Sequence, residues 1–339
     1  MTRIKALLLG LGQIGCGYDL DQPFQPDQAC SGAVTWTHAR ALACHAQVEV
    51  VAAVDPSAQA RERFSAVYSC PAFADLEEYF QGPGSHELDL VVVAVPPTLQ
   101  PSLVDQLLAR CSPRMLLLEK PGASKGDAAE RLQQACNRHP NLVVAVNYIR
   151  RYLPVVLELQ SQLKAGRLGE LLHGRLVYGK GLLSNGSHFV NLAEAWLGPL
   201  RSGAVFEQGP GYAGFDHEAS LALIASRHND AVLHVHSIGG IGLRAGELDL
   251  WFSQGRLLWS NDGRSVQCWR LGDAAVGDSH RPLMAEPELF PSGMEHYQHH
   301  VLDNLVRHGQ QREGVPIHCD FDAGFETLQL LESALHAWR

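Results

Sequence analysis

The sequence has no block of Lys or Arg, and its 27 basic against 36 acidic side chains leave a formal net charge of −9. Nothing in it can form a stripe that tracks phosphates, so nucleic acid and anionic membrane surfaces are poor candidates for partners. The acidic balance serves solubility. No stretch approaches the roughly 18 uninterrupted apolar residues that a membrane span needs. No CxxC pair occurs among the eight cysteines. Cys16, Cys30, Cys44, Cys70, Cys111, Cys136, Cys268 and Cys319 are scattered along the chain, which argues for free thiols in a reducing compartment rather than a disulfide framework or a zinc site. HExxH and GxSxG motifs, internal repeats and low-complexity tracts are absent as well.

What is there is the composition of an ordinary folded protein. The chain has 339 residues, 46% hydrophobic and 19% charged, a length that suggests about two domains, each able to bury a core. The start, MTRIKALLLGLGQIG, pairs basic residues with an apolar run, as a signal peptide does. The run is short, and the glycines after it fit a phosphate loop better than a cleavage site, so the expected compartment is the cytoplasm.

Residues 1–150 alternate apolar runs (Ile4–Leu9, Val48–Val54, Leu88–Val95, Met115–Leu118, Leu142–Val146) with stretches of helical period (Ala58–Tyr68, Pro101–Arg110, Lys125–Arg138). Continuous apolar strands between helices predict a doubly wound parallel α/β sheet. The polar, proline-bearing segment 16–36 interrupts the pattern and reads as an insertion, with a helix resuming at His38–His45. Tyr18 and Asp19 lie where they would reach a substrate or simply form a surface loop.

From 151 to 339 the texture changes. A helix at Pro154–Gly166 precedes strands at Leu171–Tyr178, Ala219–Ser226, Ala231–Ser237, Glu247–Ser253 and Arg256–Ser260, with helices at Gly293–His308 and Asp322–Trp338 closing the chain. This predicts a second α/β domain with a largely open, mostly antiparallel sheet, its last helix packing back on the first domain.

Gly10-Leu11-Gly12-Gln13-Ile14-Gly15 follows the first strand directly. The first glycine permits a tight turn, the second lets backbone approach a pyrophosphate, and the third allows close packing. Asp55 closes the second long strand, where an acid receives the adenosine ribose hydroxyls and repels a 2′-phosphate, favouring NAD over NADP. The same Asp55-Pro56 also reads as a plain helix cap.

At this point the sequence resembles the Gfo/Idh/MocA oxidoreductases. GLGQIG at 10–15, VPPTLQ at 95–100, EKP at 119–121, NYIRRY at 147–152 and SNGSHFVNLAEAWLG at 184–198 carry the likeness in order. It implies an N-terminal Rossmann domain, an NAD-dependent dehydrogenase or reductase acting on a sugar, sugar nucleotide or polyol, and a homodimer or homotetramer. Lys120 would contact the reacting oxygen, and His188 would relay the proton. Gly10, Gly12, Gln13, Ile14, Gly15, Asp55, Pro96, Pro97, Glu119 and Asn147 would line the cofactor, while Tyr148, Arg150, Arg151, Asn185 and Asn191 would face the substrate. Arg150 and Arg151 equally suit an interdomain salt bridge.

The chain departs from the family's common pattern at three places. Ser184 and Asn191 stand where acids usually flank the histidine, and Gln100 stands where VPPTLQ often ends in His. The NGSH-type motif and long first loop are similar to members of surface-polysaccharide and unusual-sugar pathways. Two other outcomes share the resemblance: redox-assisted epimerisation, elimination or glycoside cleavage on retained NAD, and a non-enzymatic NAD(P) or sugar sensor. No metal is expected; His296 and His300 share i, i+4 spacing but lack HExxH and a third ligand. Trp36, Trp251, Trp259 and Trp269 suit either a sugar face or the core.

Overall fold

The computed structural model describes residues 3–24, 34–82, 87–122, 126–209, 218–239, 245–274, 280–310 and 314–336. It divides into two units, residues 1–152 with 295–325 and residues 153–294 with 326–339.

In the first unit, β1 (Ile4–Leu9), β2 (Val48–Val54), β3 (Ala72–Phe73), β4 (Leu90–Val93), β5 (Met115–Leu118) and β6 (Val143–Val146) form one sheet in the order β3-β2-β1-β4-β5-β6. Every pairing is parallel. Alternation along β1 sends Leu7 and Leu9 into one core, with Val91, Val93, Leu116 and Leu118. It sends Ala6 and Leu8 into the other, with Val92 and Leu117. A sheet buried on both faces needs such uniformly apolar strands, which is why they stand out in the sequence.

The helices are α1 (His38–Cys44), α2 (Ala58–Tyr68), α3 (Leu76–Gln81), α4 (Gln100–Leu108) and α5 (Gly126–Asn137). Lys125, the expected first residue of α5, lies outside the described residues. Residues 295–325 return to this unit: Val146 N–H donates to the Cys319 carbonyl at 2.9 Å. Val301, Leu302, Leu305 and Val306 join the core that holds Ala6 and Leu8.

The second unit holds α6 (Pro154–Lys164), α7 (Ser187–Leu197) and the later turns of α9 (Phe321–His336), while α8 (Tyr297–Gln310) belongs to the first unit. Its sheet comprises β7 (Leu171–Tyr178), β8 (Leu200–Gly209), β9 (Glu218–Ala225), β10 (Ala231–Ser237), β11 (Gly246–Phe252), β12 (Gly255–Ser260), β13 (Ser265–Arg270) and β14 (Glu288–Phe290). The order is β14-β13-β12-β11-β7-β10-β9-β8, antiparallel except for the pair β7/β10. Burial alternates along β12, so one face is fully buried and the other half-buried. α7 is buried almost throughout.

β3, β8, β13, β14 and α3 carry no clear signal in the sequence. β8 reads LRSGAVFEQG, with register shifts opposite β9, and β14 is a three-residue strand. The six-residue α3 depends on its cap, the Asp75 carboxylate accepting from Glu78 N–H at 2.8 Å.

Candidate functional site

The glycine loop leaves β1 with Gly10 at φ +96°, where a Cβ would stand 2.6 Å from the Ala94 carbonyl oxygen. A Cβ on Gly15 would collide with the Gly10 carbonyl, whereas one on Gly12 would meet nothing within 4 Å. Two glycines thus fold the loop and the middle one leaves room above it, which fits the pyrophosphate of a dinucleotide. The loop opens into a single π-helical turn, Gln13–Gly17, rather than a full helix.

The next helix, α1, starts only after the insertion, capped by Thr37, whose hydroxyl accepts from Arg40 N–H at 3.2 Å. Asp19 closes the insertion at its base. It is 1% exposed and accepts from Trp36 N–H at 2.8 Å, Thr37 N–H at 3.0 Å and the Thr37 hydroxyl at 2.6 Å. Arg40, equally buried, donates to the carbonyls of Gln22 and Pro23 at 2.9 Å and stands 3.5 Å from the Asp19 carboxylate. Asp19 is therefore spent on the fold and does not reach a substrate, while Tyr18 is exposed. Residues 25–33 of the insertion, Cys30 among them, lie outside the described residues.

Asp55, at the end of β2, accepts from Leu11 N–H at 2.7 Å and from Ser57 N–H at 2.8 Å. The α2 cap is Ser57, whose hydroxyl accepts from Ala60 N–H. Asp55 is thus a brace between strand and glycine loop, and it stays partly exposed beside the loop.

The EKP motif follows β5, with a cis Lys120–Pro121 peptide. Glu119 Oε1 lies 2.8 Å from His38 Nε2 and accepts from Asn147 Nδ2 at 2.6 Å. Burial pushes the Glu119 pKa up, but the hydrogen bond and charge of His38, the Asn147 amide and nearby Lys120 outweigh it, and the carboxyl is held below its ordinary range. Gln100, at the start of α4, donates through Nε2 to the carbonyls of Glu119 at 2.9 Å and Val95 at 3.2 Å. Pro96 and Pro97 lie between β4 and α4, Pro96 exposed and Pro97 half-buried.

Asn147 follows β6. Its Oδ1, like Gln100 Oε1, is buried and finds no hydrogen-bond donor among the described residues. The structure thus brings Glu119, Asn147 and Gln100 together next to Lys120, and adds His38, in the sequence only the first residue of a helix. The available signal was the histidine itself, opening an apolar helix directly after a capping threonine. Tyr148 and Arg150 are buried and Arg151 half-buried; both arginines lie on the 3₁₀ turn Ile149–Tyr152.

In the second unit, His188 occupies the first turn of α7, half-buried. Asn185 Nδ2 donates to the Gly179 carbonyl at 2.8 Å, and Asn191 Nδ2 to the Thr327 hydroxyl at 2.9 Å. The Thr327 hydroxyl in turn donates to the Glu194 carboxylate. Both asparagine nitrogens therefore have protein partners. Ser184 lies on the π-helical turn Leu182–Gly186 that leads into α7.

His296 ends a 3₁₀ turn that runs directly into α8, which begins at Tyr297 and carries His300. Among the described residues no group of three or more His, Cys, Asp or Glu could hold a metal ion, and no helix is long and apolar enough to cross a membrane. Trp259 is wholly buried. Trp251 and Trp269 flank the Arg256 guanidinium at 4.6 and 5.1 Å, which also pairs with Asp249 at 2.8 Å.

A sequence model described as "Oxidoreductase family, NAD-binding Rossmann fold" (GFO_IDH_MocA) matches residues 30–148. The rhizopine catabolism protein MocA of Rhizobium meliloti is 26% identical over 173 residues, 50% of this chain and 45% of that protein, so the match spans less than half of that relative's length. The WlbA dehydrogenase from Bordetella pertussis, solved with NADH and UDP-GlcNAcA, shares the fold at TM-score 0.74 and 16% identity, over 99% of this chain and 96% of that one. KijD10, a 3-ketoreductase from Actinomadura kijaniata solved with NADP, does so at 0.72 and 15%, over 99% and 97%. An oxidoreductase from Agrobacterium radiobacter, solved with NAD+, L-tartaric acid and magnesium, matches at 0.71 and 15%, over 99% and 96%. At these identities the structural likenesses speak to the fold.

Proposed function

We propose that the chain, whose residues 30–148 match the Gfo/Idh/MocA oxidoreductase model, moves hydride between a nicotinamide dinucleotide and a carbinol or ketone carbon of a sugar, sugar nucleotide or polyol. One observation carries this reading. The glycine loop braced by Asp55, the Glu119-Lys120 turn and Asn147 all follow the carboxyl ends of strands in a single β3-β2-β1-β4-β5-β6 sheet, where such sheets take their ligands.

A bound dinucleotide would exchange hydride at C4 of its nicotinamide. Asp55, fixed by Leu11 and Ser57, would receive ribose hydroxyls and disfavour a 2′-phosphate, so NAD is preferred to NADP. Lys120 would hold negative charge as it develops on the reacting oxygen. His188, carried over from the family motif, would relay the proton. The sugar-nucleotide class draws support from WlbA, whose structure holds UDP-GlcNAcA. The half-buried sheet face of the second unit would meet another copy, giving a cytoplasmic homodimer or homotetramer.

The test is a fluorescence titration of the purified chain with NADH and NADPH. Tighter binding of NADH, abolished by Asp55→Arg, is the expected result and leads to screening sugar nucleotides and keto-sugars for oxidation or reduction. Failure of both nucleotides to bind sinks the oxidoreductase reading.

A further inference from the structure

We propose that Asn147 reads the carboxamide of the nicotinamide ring, and that His38, acting through Glu119, is the positioning residue that decides which end of the Asn147 amide meets it. The inference rests on the NAD-dependent reading above and names what that site recognises.

An asparagine amide can be turned either way, presenting a donor or an acceptor. Here its surroundings choose. Glu119 Oε1 lies 2.6 Å from Asn147 Nδ2 and 2.8 Å from His38 Nε2, and the two nitrogens are 3.3 Å apart. An ionised carboxylate only accepts, so both nitrogens point their hydrogens at the one oxygen. That commits Asn147 to turning Oδ1 away from Glu119.

Asn147 is 1% exposed, and Oδ1 has no donor among the described residues. Gln100 repeats the arrangement independently. It is anchored by Nε2 on the Glu119 carbonyl, and its fully buried Oε1 likewise lacks a donor. Buried acceptors without donors are uncommon in folded proteins, and two anchored on one glutamate point to a ligand that brings N–H or O–H groups.

The carboxyl ends of β4 to β6 lie in the half of this sheet that takes the nicotinamide in dinucleotide folds. The ring's carboxamide carries the N–H donors that Asn147 Oδ1 needs. A nicotinate carboxylate in its place brings only acceptors, so oxygen would face oxygen. Lys120 nearby could soften the charge, but it cannot supply the missing hydrogen to that contact.

His38 enters because it keeps Glu119 an acceptor. The charged groups acting on the Glu119 carboxylate are His38 from α1 and Lys120 from its own turn; β6 and α4 contribute the neutral amides of Asn147 and Gln100. Without the His38 donor, Glu119 takes up a proton more easily. As a neutral acid it can donate to Oδ1 and turn the amide round.

The experiment is calorimetric titration of the full chain with NAD+, nicotinic acid adenine dinucleotide and 3-acetylpyridine adenine dinucleotide, the last keeping the carbonyl but lacking N–H. The wild type is expected to bind NAD+ about tenfold or more tighter than either analogue, equally at pH ~8 and pH ~6. Asn147→Ala should bring the three within about threefold of one another. His38→Gln, a donor that does not titrate, should keep the discrimination. His38→Leu should lose it toward acid pH, a change that mere loosening of the fold would not tie to pH. If the wild type binds all three alike, the proposal is overturned and the NAD reading stands; if it binds none, both fall. Should His38→Leu fail to fold, the wild type and Asn147→Ala decide.

Discussion

At Glu119 two effects oppose each other, burial favouring the neutral acid and the His38 and Asn147 hydrogen bonds favouring the anion, and the second wins. The folded pKa therefore lies below the unfolded one. The ionised group contributes stability above the usual carboxylate range, and this is lost as pH falls through the folded value. Urea midpoints of the wild type should hold, as far as this group is concerned, down to about pH 5 and drop below about pH 4. In His38→Leu the drop should begin at higher pH; curves that superimpose would show that His38 does not hold the anion.

Asp19 and Arg40 are a second buried pair. Arg40→Ala strands the acid, and urea unfolding should show a loss of about 3 kcal/mol or more. Single residues differed in how well the sequence announced them. Gly10 is legible because the turn it makes depends on local backbone geometry. Asp19 and His38 are not, since their partners at Thr37 and Glu119 come from chain positions that only the folded sheet brings near.

Among elements, long apolar strands were legible almost to the residue: Ile4–Leu9, Val48–Val54 and Met115–Leu118 are strands with those bounds. Met115–Leu118 is buried throughout and Ile4–Leu9 at all but Lys5, while Val48–Val54 is exposed at Glu49 and buried toward its end, so most positions are under the same constraint. β8 and β14 were not, because an edge strand or one with a free face can be polar, short or irregular and still pair. The glycine loop offers the sharpest element-scale test. Gly10→Ala forces a side chain into φ +96° and against the Ala94 carbonyl. It should lower stability by about 1–3 kcal/mol and abolish NADH binding by fluorescence; undiminished binding would show that the loop is not the cradle. In the second unit, Thr327→Val keeps the shape but breaks the Asn191–Thr327–Glu194 chain. Loosening of the contact between α7 and α9 should appear as about 1–2 kcal/mol in urea unfolding.

Over the whole molecule, the scattered cysteines fall mostly in the core. Of the seven described cysteines six are buried, leaving Cys44 half-exposed. Burial pushes the thiols of Cys16 and Cys136 up to about 12 and those of Cys70 and Cys111 to about 11. Almost no thiolate exists at these sites near neutral pH. A thiol reagent such as Ellman's should therefore leave the six buried thiols unlabelled until denaturant is added; rapid labelling of them in the native protein would contradict this packing. The fold class was legible at this scale because strand and helix texture changes near residue 152. The return of residues 295–325 to the first unit was not, since α8 is an amphipathic helix that would suit either core.

That return bears on how the protein is made. A ribosome delivers β1 through β6 long before Val301, Leu302, Leu305 and Val306, the side chains that help close one of the sheet's two cores, and before Cys319, which receives the hydrogen bond from Val146. The nascent first sheet therefore waits with apolar surface uncovered while the remaining half of the chain is synthesised, a state that invites aggregation or chaperone capture. A fragment cut at residue 152 would be held in that state permanently.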